Sequence, residues 1–68
     1  GSRGVEVIDV ERGSPAWRAG LRAGDVIVSI NRQALASVAD VSDAVRRSAN
    51  GLLLNIRRGN AALYIAIQ

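Results

Sequence analysis

The stretch GSPAWRAGLRAGDVIVSIN, Gly13 to Asn31, constrains the fold more than any other part of this chain. Ser14 offers a side-chain oxygen to cap a helix. Pro15 takes the first helical position, where its missing N–H costs nothing. Ala16 to Ala19 provide about one helical turn before Gly20, a residue suited to the left-handed conformation that ends helices. Leu21 folds back as an apolar plug. Gly24 turns the chain again, and Asp25 is placed to accept backbone N–H bonds and fix that turn. Val26 to Asn31 then reads as a strand with Ile27 and Ile30 buried. Gly20, Gly24 and Asp25 are therefore expected to make corners. A phosphate loop would need its glycines ahead of a helix, with a lysine and a hydroxyl; here they precede a strand.

The flanking sequence completes a pattern of strand, helical turn, strand, helix and hairpin. Gly4 to Val10, GVEVIDV, is β-branched and predicts a strand. Val5 and Val7 share one face while Ile8 and Val10 fall on the other, which implies a bulge or burial on both sides. Asn31 to Gln33 is a polar turn, and Ala34-Leu35 a short extended piece. Ser37 or Asp40 can cap a helix running to about Ser48. Its apolar residues Val38, Val41, Ala44 and Val45 lie on one helical face. Asp40 and Asp43 near its start and Arg46 and Arg47 near its end suit the helix dipole. Asn50-Gly51 stops it. LLLNIR and ALYIAIQ flank Arg58-Gly59-Asn60, a glycine turn between two strands. The fold class expected is α+β: a small, partly open β-barrel or sandwich with one short and one longer helix.

Composition removes several kinds of chemistry. The 68 residues suffice for one domain with a small core, and they include neither cysteine nor histidine. No thiolate or imidazole can ligate a metal, act as a nucleophile or serve as a general base. With no lysine either, no serine has a base to activate it, so no catalytic residue, metal or cofactor is expected. The net charge of +3 rests on nine basic residues, all arginine, against six acids. These charges are interspersed, and Trp17 and Tyr64 are the only aromatics, which argues against nucleic-acid binding. No apolar run approaches the roughly 20 residues of a membrane span. The first three residues, Gly1 to Arg3, read as a tag scar or linker remnant ahead of one domain over 4–68.

With those residues in place, GSPAWRAGLRAGDVIVSIN closely resembles the PDZ-domain signature SPA…AGL..GD.I..ING. The helix VADVSDAVRRS and the final hairpin LLLNIRRGNAALYIAIQ are similar to the circularly permuted bacterial form. They look most like the second, C-terminal PDZ domain of HtrA/Deg serine proteases. The resemblance implies a non-catalytic interaction module of a periplasmic or cell-envelope endopeptidase engaged in protein quality control. Its implied partners are other domains or protomers of the parent protease, with peptides or unfolded segments as the alternative.

The resemblance also implies where a ligand would lie. PDZ domains add a peptide C-terminus as a strand between a sheet edge and the longer helix. A glycine-rich loop receives the carboxylate. In the permuted form that loop and its strand precede GVEVIDV, so the carboxylate-loop strand is expected to be lacking from this sequence. By position, Val41, Ser42 and Val45 form the helix wall of the groove, although Val41 and Val45 also suit the core and Ser42 a solvated face. Trp17 is open to three readings: a surface aromatic, an interface anchor, or a lid over the core.

Overall fold

The computed structural model describes residues 4–48 and 50–68. The reading of residues 1–3 as a scar or linker lies outside the described residues. The elements are β1 (Val5–Glu6), α1 (Pro15–Ala19), β2 (Val26–Ile30), β3 (Gln33–Ala34), α2 (Val38–Arg47), β4 (Leu52–Arg58) and β5 (Ala61–Ile67). They make a small α+β domain with an open antiparallel sheet ordered β1-β2-β4-β5, in which β3 pairs with β2.

Local chemistry explains the ends of each element. The Ser14 hydroxyl accepts the Trp17 N–H at 3.2 Å, and Pro15 opens α1. Gly20 closes it at φ 110°, and the Leu21 N–H returns to the Ala16 carbonyl at 3.0 Å. Ser37 occupies the N-cap position of α2. Asp40, three residues on, turns its carboxylate back to accept the Ala36 and Ser37 N–H groups at 2.8 and 3.2 Å. The two candidate caps thus share one device.

The core comprises Leu21, Ile27, Ile30, Leu35, Ala44, Leu54, Ile56 and Ile65. Ile27 and Ile30 are three apart, yet both point inward, because the β2–β4 register shifts between Ile27 and Ser29. That bulge inserts one residue and resets the alternation of faces. Leu35, just past β3, is 1 % exposed and is a core residue that the sequence pattern did not single out.

Three expectations need correction. The first strand is shorter than Gly4–Val10. Beyond Glu6, Val7 still donates to the Asp25 carbonyl and accepts from the Gly24 N–H, both at 2.8 Å. However, two residues of the facing strand oppose it there, a bulge with glycine at its first position, and regular pairing ends. Second, the face opposite Val5 and Val7 is not a second core. Val10 packs inward with them, whereas Ile8 is 79 % exposed. Third, the hairpin turn is only Gly59-Asn60, with Arg58 and Ala61 already paired across it.

Candidate functional site

The corner from Ser14 to Asp25 is closed by a salt bridge. Gly24, at φ 93°, holds the third position of a turn in which the Asp25 N–H reaches the Arg22 carbonyl at 3.2 Å. That φ is one that L-residues adopt at a cost. Asp25 is 2 % exposed and fully engaged. Its carboxylate accepts the Arg22 N–H at 2.9 Å and a two-pronged contact from the Arg58 guanidinium, both arms at 2.8 Å. Arg58 also donates to the Gly20 carbonyl at 2.9 Å. One arginine from the end of β4 thereby clamps both glycine corners. The Arg58 hydrogen bonds, and secondarily the Arg22 N–H, hold the Asp25 carboxyl below its ordinary pKa of 3.8, against the opposing effect of desolvation. Nothing in the sequence pairs Asp25 with a residue 33 positions away, and Arg58 read there only as part of a turn.

Trp17 is half-buried on α1. The Arg22 guanidinium lies 4.5 Å from its ring centroid and that of Arg12 5.9 Å. Arg22 is held there by donating to the Trp17 and Leu21 carbonyls at 2.7 and 2.8 Å. A cation fixed over the indole is attracted to its π-face. The geometry therefore gives Trp17 intramolecular partners that the sequence did not suggest.

The helix face differs from the corner. At about 100° per residue, Val41 and Ala44 lie within about 60° of each other, and they make the core contact. Val38 and Val45 lie within about 20° of each other on the adjoining stripe, with Ser42 about 40° further round. Val38 is 70 % and Val45 46 % exposed, and Ser42 is exposed as well. Val45 is therefore not a core residue. A helix resting on the sheet through Val41 and Ala44 covers one stripe, and the apolar face predicted from the sequence is wider than that. On the far side of the stripe, Asp43 and Arg46 form an exposed ion pair.

β1 presents a free strand edge. β1 pairs with β2 alone, and among the described residues nothing occupies its other side. Both Val7 backbone groups point to β2. Antiparallel alternation therefore directs those of Glu6 outward. Val5 and Val7 pack on the same core as Val41. The domain thus offers an open edge with hydrogen-bonding groups and a helix stripe of uncovered valines.

Among the described residues no cluster of three metal-ligating side chains occurs, and no helix is long and apolar enough to cross a membrane.

Comparison with known proteins gives consistent results. The PDZ domain family matches residues 6–57. The periplasmic serine endoprotease DegP of Escherichia coli is 38% identical over 66 residues, which is 97% of this chain and 14% of DegP. The serine protease HTRA1 of Xenopus tropicalis is 41% identical over 64 residues, covering 94% of this chain and again 14% of the relative. The chain thus spans about one-seventh of the length of these proteases. The crystal structure of the HtrA3 PDZ domain bound to the phage-derived ligand FGRWV superimposes with a TM-score of 0.91 at 37% identity, covering 98% of this chain and 64% of that one. From the glycine corner to the terminal hairpin, sequence, topology and relatives agree that this chain belongs to the PDZ domain family.

Proposed function

We propose that this domain is a non-catalytic protein-interaction module of an HtrA/Deg-type serine endopeptidase, corresponding to its C-terminal PDZ domain. The catalytic residues lie elsewhere in that parent, and its location is the periplasm or cell envelope. The single observation that carries the interaction role is the open β1 edge, in a domain whose α2 also leaves Val38, Ser42 and Val45 exposed. An extended segment placed on that edge gains main-chain bonds to Glu6, while the valines select apolar side chains. Assembly, meaning contact with another domain or protomer, fits this edge better than capture of a free C-terminus. Arg46, on the adjacent turn of α2, is already paired with Asp43 and is solvated.

Substrate capture is the second reading, favoured by the peptide ligand in the HtrA3 PDZ structure. Titration of isotopically labelled domain with peptides bearing apolar C-termini, free or amidated, separates the two. Assembly predicts a Kd weaker than about 1 mM for free C-termini, with amidation making no difference. Saturable micromolar binding that maps to 38–48 and is abolished by amidation would establish capture instead.

A further inference from the structure

We propose that two copies of this domain pair through β5, antiparallel and centred on Tyr64, so that the sheet continues across a two-fold axis. This inference concerns the opposite end of the sheet from the β1 edge and does not depend on what that edge binds.

β5 is hydrogen-bonded to β4 on one side, and among the described residues nothing pairs with the other. Which of its backbone groups are unpaired follows from the register. The two-residue turn makes Arg58 and Ala61 a hydrogen-bonded pair, and every second pair along the hairpin, Ile56–Leu63, Leu54–Ile65 and Leu52–Ile67, repeats it. The intervening residue Leu53 agrees, because both its backbone groups bond instead to Asn31. The N–H and C=O groups of Ala62, Tyr64 and Ala66 therefore face the open edge. α1 packs against β5, yet these three residues remain exposed, Tyr64 at 71 %.

Edge strands that stay single are usually guarded by charge, proline, a bulge or short length. The β1 edge has several of these guards: it is two residues long, it carries Glu6 and is followed by Asp9 and Glu11, and a bulge faces Val7. The seven residues AALYIAI of β5 have none. In a chain with 22% charged residues, this long open edge carries no charge.

The occupant that fits is a second copy, because AALYIAI is self-complementary when reversed. With Tyr64 opposite Tyr64 of the other copy, Ala62 meets Ala66, Leu63 meets Ile65 and Ala61 meets Ile67. The three outward-facing residues of each strand then exchange about six main-chain bonds in total. The alanine methyl groups flank the two central tyrosine rings and leave them room on the outer face. Leu63 and Ile65 meet on the core side. The contact is isologous, as a closed dimer requires.

Sedimentation equilibrium between about 10 μM and 1 mM, with amide exchange read by NMR, tests this. The expected result is a concentration-dependent dimer, with slowed exchange on dimerisation at Ala62, Tyr64 and Ala66. Two folded double variants test the register. Ala62→Lys with Ala66→Lys places like charges opposite one another and should weaken the dimer at least about tenfold. Ala62→Glu with Ala66→Lys places opposite charges there and should retain it. Because the chain has no cysteine, Tyr64→Cys should oxidise to a linked dimer faster than Leu53→Cys, which is exposed one strand away. A monomer at every concentration, equal dimerisation of the two double variants, loss of the dimer in both, or protection at Glu6 instead would each overturn the proposal.

Discussion

The corner at Ser14–Asp25 and the helix α2 use similar small and apolar residues, but the corner engages its cap, its apolar plug and its carboxylate internally, whereas α2 leaves half of its apolar stripe exposed. In the corner, Ser14 caps, Gly20 and Gly24 take left-handed conformations, Leu21 enters the core, and Asp25 makes hydrogen bonds to Arg22 and Arg58. In α2, Val41 and Ala44 reach the core, while Val38 faces outward and Val45 is only half covered. The difference separates a folding device from a surface left for another molecule. Substitutions in the corner should therefore cost stability, and substitutions on the exposed stripe should cost binding alone.

The largest effect is expected at Asp25. Asp25→Ala strands the Arg22 N–H and removes both arms of the Arg58 contact, bonds of the charge-assisted kind worth about 1.5–3 kcal/mol each. Partial rehydration of Arg58 offsets some of this, leaving a loss of about 2–3 kcal/mol. At this chain length the melting midpoint should fall by more than about 8 °C. The loss should also depend on pH. Because the folded carboxyl titrates below 3.8, its stabilisation is complete above the ordinary carboxylate range. As acid is added the unfolded chain takes up its proton first, and the contribution disappears as the pH falls through the folded-state value. Urea midpoints of the two proteins should differ by a constant amount above about pH 5 and draw together as the pH falls through the lowered folded-state value. A constant gap across the whole range would mean that Asp25 acts only through packing.

Gly20→Val tests the same corner without touching a hydrogen-bonded side chain. An added Cβ would meet nothing within 4 Å, so the expected penalty is conformational rather than a clash at Cβ. A β-branched residue held at φ 110° costs about 1–3 kcal/mol. Thermal unfolding of Gly20→Val should show it, and Gly20→Asn should recover much of it because asparagine tolerates the left-handed region. A midpoint within about a degree of the parent would place the corner's stability elsewhere.

The contrast between corner and helix also marks what could be read in the sequence. The corner was legible residue by residue, since capping, proline placement and left-handed glycines depend on near neighbours. The element order, both helices and the terminal hairpin followed from the same local rules. Arg58 as the partner of Asp25 was not legible, because a contact across 33 residues leaves no trace in spacing. Nor was the clasp by which Asn31, at φ 50°, accepts the Leu53 N–H at 2.7 Å and ties the β2–β3 turn to β4. In α2 the 3.6-residue period located the apolar face, but periodicity cannot tell a face wide enough to be buried from one that is half uncovered. Between a bulge and burial on both sides, the sequence could not choose for Ile8, for a related reason. Alternation assumes a regular strand with two covered faces, and this edge strand has one covered face and a bulge opposite it.

The smallest stability effect, and the sharpest test of the comparison, is Val45→Ala. Val45 lies about 100° round the helix from Ala44, past the edge of the core contact, and it is half exposed. Truncation removes two methyl groups that are already about half in water, so only part of their transfer free energy is lost. Alanine is also the better helix former, and its gain of several tenths of a kcal/mol opposes that loss. The net change should lie within about 0.5 kcal/mol, the usual range for exposed positions. Binding should respond differently. A segment added to the β1 edge would press an apolar side chain against the Val38–Val45 stripe, so truncation removes contact area that exists only in the complex. The domain's affinity for its partner domain or protomer should drop severalfold in Val45→Ala, while the urea midpoint stays that of the parent protein. A midpoint lowered as far as in Gly20→Val would show that the stripe is structural after all, and α2 would then belong with the corner as part of the folding machinery.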